Sequence, residues 1–101
     1  MTETEFTRRY PTLRGALAVF ADADGPEERT AKWVVEMSSE VPDERRKLAV
    51  ELLQESRAFL PFLPEEWDAL SSAANRSFDS GNDARDWLIS IMTVWETILR
   101  E

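Results

Sequence analysis

Cysteine and histidine are both missing from this chain. Without cysteine there is no disulfide and no thiolate nucleophile, which fits a reducing compartment. Without histidine the commonest general base and the usual zinc or copper ligand are gone, and with them the Ser-His and Cys-His pairs of nucleophilic catalysis. Glycine is scarce: Gly15, Gly25 and Gly81 stand alone, so no phosphate-cradling loop is present. Long apolar runs are lacking too, and nothing approaches the roughly 18 uninterrupted apolar residues of a membrane span. Met1 to Arg9 (MTETEFTRR) carries acids and a phenylalanine where a secretory leader would need a basic start and an apolar stretch. The expectation is a cytoplasmic chain with no catalytic residue, no cofactor and no metal.

What remains is helix-forming, aromatic and acidic. The 101 residues are 43% hydrophobic and include four tryptophans and five phenylalanines, enough for one packed core despite 32% charged residues. The net charge of −8 is unevenly spread: residues 22 to 44 hold eight acids against two bases, residues 1 to 21 two against three, and residues 45 to 101 ten against seven. Such a field repels nucleic acid and anionic membrane and attracts basic protein surfaces.

Three segments share one local pattern: Pro26-Glu27-Glu28, Pro42-Asp43-Glu44 and Pro64-Glu65-Glu66. Proline suits the first helical position, where its missing N–H would have no partner, and acids in the next turn face the positive end of the helix dipole. Apolar residues recur at helical spacing after each start: Trp33, Val34, Met37 and Val41; Leu48, Ala49, Leu52 and Leu53; Trp67, Leu70, Ala74 and Phe78. Leu13, Ala16, Leu17 and Phe20 form an earlier stripe entered through Tyr10-Pro11. A last stripe, Trp87 to Leu99, follows the loop Ser77 to Asn82, in which Ser80 and Asp83 have capping-box spacing. These patterns predict an all-α bundle of about five helices, at 11–22, 26–40, 42–57, 64–76 and 82–100, without a significant sheet. The chain reads as a single helical domain over 1–101, with 1–9 as a loose N-terminal arm. Leu60, Phe62 and Leu63, around Pro61 and before Pro64, either bury or form an apolar ridge for a partner.

The acids invite a metal reading, above all "VFADADGPEE" (Val19 to Glu28), where Asp22 and Asp24 alternate before a glycine. A calcium loop needs a bidentate acid at its twelfth position, and that position is Trp33. The segment reads as a helix boundary with an anionic surface. Glu51 and Glu55 share a helix face but read as solvated surface. Arg45-Arg46-Lys47, flanked by Asp43, Glu44 and Glu51, predicts local ion pairs and not a nucleic-acid patch.

"YPTLRGALAVFAD" (Tyr10 to Asp22), "VPDERRKLAVELLQ" (Val41 to Gln54) and "DARDWLISI" (Asp83 to Ile91) together resemble the small all-helical immunity proteins of bacterial contact-dependent growth inhibition. The likeness covers about residues 10 to 99. Where that family often has His-Gln-Asp after the first helix's aromatics, this chain has Phe20-Ala21-Asp22, sharing only the acid. The resemblance implies a protein that acts by binding: it would neutralise the toxic C-terminal domain, frequently a nuclease, of an effector delivered by a neighbouring cell. A nuclease groove is basic, and the acidic segment suits it by charge complementarity. The expected partner-binding residues are therefore Asp22, Asp24, Glu27, Glu28, Glu36, Glu40, Asp43 and Glu44. No nucleic acid or membrane is expected as a partner, and the chain itself should be a monomer or weak homodimer. The alternatives are an acidic helical adaptor or regulatory subunit with no toxin partner, and a carboxylate enzyme that recruits a divalent cation.

Overall fold

Six α-helices account for the fold, most of them started by proline or a hydroxyl side chain. In the computed structural model, which describes every residue from Met1 to Glu101, they are α1 (Glu3–Arg9), α2 (Pro11–Asp22), α3 (Glu27–Glu36), α4 (Pro42–Phe59), α5 (Leu63–Ala74) and α6 (Gly81–Arg100). A 3₁₀ turn, Leu60–Phe62, joins α4 to α5, and no strand is present. Ser80 caps α6 as its spacing predicts, its hydroxyl accepting from the Asp83 N–H at 3.2 Å. At the far end of α5, Asn75 takes the left-handed conformation (φ 51°, ψ 51°) that ends a helix.

Residues 1–9 are not a loose arm. Thr2 caps α1, accepting from the Glu5 N–H at 3.1 Å, and the first-turn acids and last-turn arginines both suit the helix dipole. The helix is held down by Phe6, which is buried in an aromatic triangle with Tyr10 and Phe59, ring centroids 5.0 to 5.4 Å apart. The Met1 α-amino group donates to Glu66 at 2.6 Å, where α5 kinks, and this hydrogen bond holds the amine above its ordinary pKa.

The core is one cluster of 22 buried apolar residues. α6 is its spine: it packs against α3, α4 and α5 and buries Ala84, Leu88, Ile91, Met92 and Trp95. All four residues of the predicted α2 stripe, Leu13, Ala16, Leu17 and Phe20, are buried. Each large side chain of this kind contributes roughly 1.5–3 kcal/mol when fully removed from water. In the α4–α5 connection Leu63 is buried, Leu60 half-buried and Phe62 exposed, so the three do not form one ridge.

α3 departs from expectation twice. It ends at Glu36 instead of residue 40, because the following serines bond the backbone themselves: Ser38 Oγ donates to the Val35 carbonyl and Ser39 Oγ accepts from the Val41 N–H. Its buried face is Thr30, Ala31, Val34 and Val35. Of the predicted stripe only Val34 points inward, while Trp33, Met37 and Val41 are 50%, 56% and 50% exposed. The basic run behaves differently as well: Arg45 donates to the Ser39 carbonyl and Arg46 to the Glu101 carbonyl, and no ion pair joins this run to Asp43, Glu44 or Glu51.

Two glycines make opposite predictions. A Cβ on Gly81 would lie 2.7 Å from the Pro64 carbonyl oxygen and 2.8 Å from its Cα, both backbone atoms that cannot swing aside. Gly81→Ala should therefore destabilise the fold by about 1–3 kcal/mol. A Cβ on Gly15, inside α2, meets nothing within 4 Å. Gly15→Ala should stabilise by about 0.5–1 kcal/mol through helix propensity alone. Urea denaturation of the two variants checks both signs.

Candidate protein-binding face

The acid-rich segment begins where α2 runs out and ends in the first turn of α4. Asp22 closes α2, Asp24 lies in the α2–α3 loop, and Glu28 and Glu36 sit at the two ends of α3. Glu40 lies in the α3–α4 turn, and Asp43 and Glu44 open α4. All seven are exposed. The fold makes light use of them: Glu36 pairs with Lys32 at 3.9 Å, and Glu44 accepts from the Ser39 hydroxyl. An exposed helical pair at that distance contributes only about 0.3–0.5 kcal/mol.

Glu27 is different, because the fold itself uses its carboxylate. Half-buried at the start of α3, its carboxylate takes a bidentate bond from the Arg76 guanidinium, Nη2 to Oε1 at 2.9 Å and Nε to Oε2 at 3.3 Å. The Trp87 indole N–H donates to the same Oε2 at 2.7 Å. Arg76 also donates to the carbonyls of Ala74 and Asn75, the unpaired C-terminal end of α5. One carboxylate thus ties the start of α3 to the end of α5 and the first half of α6.

Glu55, read from sequence as surface, has a structural task of its own. α2 has no side-chain cap at Tyr10, and Glu55 Oε1 of α4 accepts from the Leu13 N–H at 3.0 Å. It fills the vacancy in the first turn of α2 from a neighbouring helix. Glu51, one turn earlier, is left half-exposed without such a partner.

No three acids come together in an arrangement that would hold a metal ion. Asp22 and Asp24 stay apart from any such cluster. The same segment also leaves apolar side chains in water. Trp33, Met37 and Val41 are three of the six large hydrophobic residues that the fold leaves exposed, and they lie within the acid-rich segment. Their spacing was visible in sequence, but it suggested a core stripe. The serine pair at 38 and 39 marks where α3 stops, but the rotation that turns Trp33 and Met37 outward is set by α6 partners distant in sequence. No helix is long and apolar enough to cross a membrane.

Removing Glu27 should cost stability, and removing its neighbour should not. Glu27→Ala leaves the Trp87 N–H and the Arg76 guanidinium without their acceptor and should destabilise by about 1–3 kcal/mol. Glu28→Ala, one residue further on and exposed, should change stability by less than about 0.5 kcal/mol. Equal denaturation midpoints for the two variants would show that the three-way tie holds nothing together. No protein-family model matches the chain, and neither a curated protein nor a solved structure matches it significantly.

Proposed function

We propose that this chain is an immunity protein, which binds the toxic C-terminal domain of a contact-dependent growth inhibition effector and neutralises it in the cytoplasm. One observation carries the reading beyond the resemblance itself: seven acids of one segment, Asp22, Asp24, Glu28, Glu36, Glu40, Asp43 and Glu44, stay exposed although the fold needs almost none of them. Unused charge of one sign raises the rate at which an oppositely charged partner arrives and fixes its orientation, and a nuclease toxin presents such a partner in its basic substrate groove. With no histidine, no cysteine and no gathered carboxylates, inhibition would come from covering the toxin's site and not from chemistry on the toxin.

The test is neutralisation. Inducing the toxic domain encoded by the gene upstream should kill a host, and co-expression of this chain should restore colony counts, with no protection against an unrelated toxin. Reversing four exposed acids together (Asp22, Glu36, Glu40 and Asp43 to Lys) should weaken toxin binding at least about tenfold and flatten its dependence on salt, because the affinity of exposed charges is screened within a Debye length of about 10 Å. A quadruple variant with unchanged affinity and salt dependence would sink the acidic-face mechanism.

A further inference from the structure

α2, α3 and α4 enclose an open groove of about 280 Å³ whose walls are mainly apolar: Ala16 and Val19 of α2, Val34 of α3, Met37 just past its end and Leu48 of α4, with Gly15 at the side of α2. Val19 and Leu48 are only half-buried and Met37 is 56% exposed. Val41, 50% exposed, is the extended residue that leads into α4 and leaves a further apolar side chain in water at that helix's start. A groove walled by half-exposed apolar side chains is shaped to receive the apolar side chains of a partner.

Charge says what. On the outer side of Leu48, Glu44 lies four residues before it and Glu51 three after, and Asp22 lies three after Val19, so acids edge the groove on both helices. The neighbouring cation, Arg45, is turned to the Ser39 carbonyl. A second copy of this chain would bring the same acids against these and be repelled. An extended peptide would need a free strand edge to pair with, and the fold has none. A groove between helices with apolar walls and acidic edges fits an amphipathic helix with apolar residues along one side and lysine or arginine flanking them.

Gly15 supplies an independent argument. Glycine inside a helix costs roughly 0.5–1 kcal/mol relative to alanine, and it is kept where a backbone or ligand must come close. Nothing in this fold needs it: its φ is not positive, and a Cβ there would touch nothing. The space it leaves opens into the groove.

We infer that the α2–α3–α4 groove is the docking site for a basic amphipathic helix of the partner, with Met37 and the bare backbone at Gly15 receiving its apolar side. The inference deepens the immunity reading, on which the identity of the natural partner as a toxin rests.

Its test needs no toxin. The full-length protein is titrated with an 18-residue Leu/Lys peptide patterned as an amphipathic helix, and backbone amide shifts are followed by NMR. A peptide of the same composition, scrambled to destroy the pattern, serves as the control. The patterned peptide should shift residues around Gly15, Val19, Met37 and Leu48, and the scrambled one should bind at least about tenfold more weakly. Gly15→Gln places a side chain in the groove without a clash at Cβ, so it should fold at least as stably as the parent and lose at least about tenfold in affinity; Met37→Asp should lose as much. Equal binding of both peptides, shifts centred elsewhere, parental affinity in the Gly15→Gln variant, or self-association through this face without peptide would each overturn the inference. Colony protection together with a failed peptide titration would strike the groove and spare the immunity reading. A groove-specific titration without protection would do the reverse.

Discussion

Two indole N–H groups of α6 decide how α3 is turned, and most of what the surface offers depends on that rotation. Trp95 is fully buried, and its Nε1 donates to the Ala31 carbonyl at 3.0 Å. A buried donor without an acceptor would cost about 1–3 kcal/mol, so α3 must present that carbonyl there. Two turns earlier on α6, Trp87 donates to Glu27, one turn before Ala31 on α3. Two donors spaced along one helix and two acceptors spaced along the other hold α3 in rotation as well as in register. With Ala31 and Val35 pressed inward, Trp33 and Met37 have nowhere to go but outward.

The same logic of borrowed partners runs through the helix ends. α2 has no cap of its own and takes one from Glu55 on α4; α5 ends on carbonyls that Arg76 covers, and Arg76 is held by Glu27 of α3. Each terminus would otherwise leave backbone groups for water to satisfy. Because these partners come from other helices, a helix end cannot loosen without also loosening its neighbour. That couples secondary structure to tertiary packing in a chain whose longest connection between helices, residues 75 to 80, is six residues.

What could be read from sequence divides along the line between local and long-range causes. The α2 stripe, the starts at Pro11 and Pro42 and the Ser80 cap were all legible, because each is set by residues within one or two turns. The α1 helix was legible in principle: Thr2 and Glu5 have capping-box spacing and Phe6 follows, but a short terminal helix depends on its dock, and Phe59 and Tyr10 are far from it or outside it in sequence. α3 was not legible. Two apolar faces overlap on it, Ala31/Val34/Val35 and Trp33/Val34/Met37, and periodicity weighs them equally while larger side chains favour the wrong one. Trp95, 64 residues from Ala31, makes the choice. Glu27 was misread for the same reason: beside Glu28 it looks like one more first-turn acid, and its partners lie 49 and 60 residues away.

That rotation gives the proposed binding face two components with different reach. Exposed carboxylates act on a partner over about a Debye length, roughly 8–10 Å at physiological salt, and set how fast and in which orientation it arrives. An apolar groove acts only at contact, where it governs how long the partner stays and which partner fits. An acidic patch alone would attract any basic surface, and an apolar strip alone would invite self-association. On the proposed face each would correct the other: the acids beside Val19 and Leu48 would repel a second copy, and the walls of Ala16, Val34 and Met37 would discriminate among the basic proteins that the acids attract. Exposing Met37 forgoes the roughly 1.5–3 kcal/mol that full burial would have contributed, and Gly15 gives up helix propensity beside it. Both losses fall on the same groove, which is the pattern expected where selection has acted on binding instead of stability.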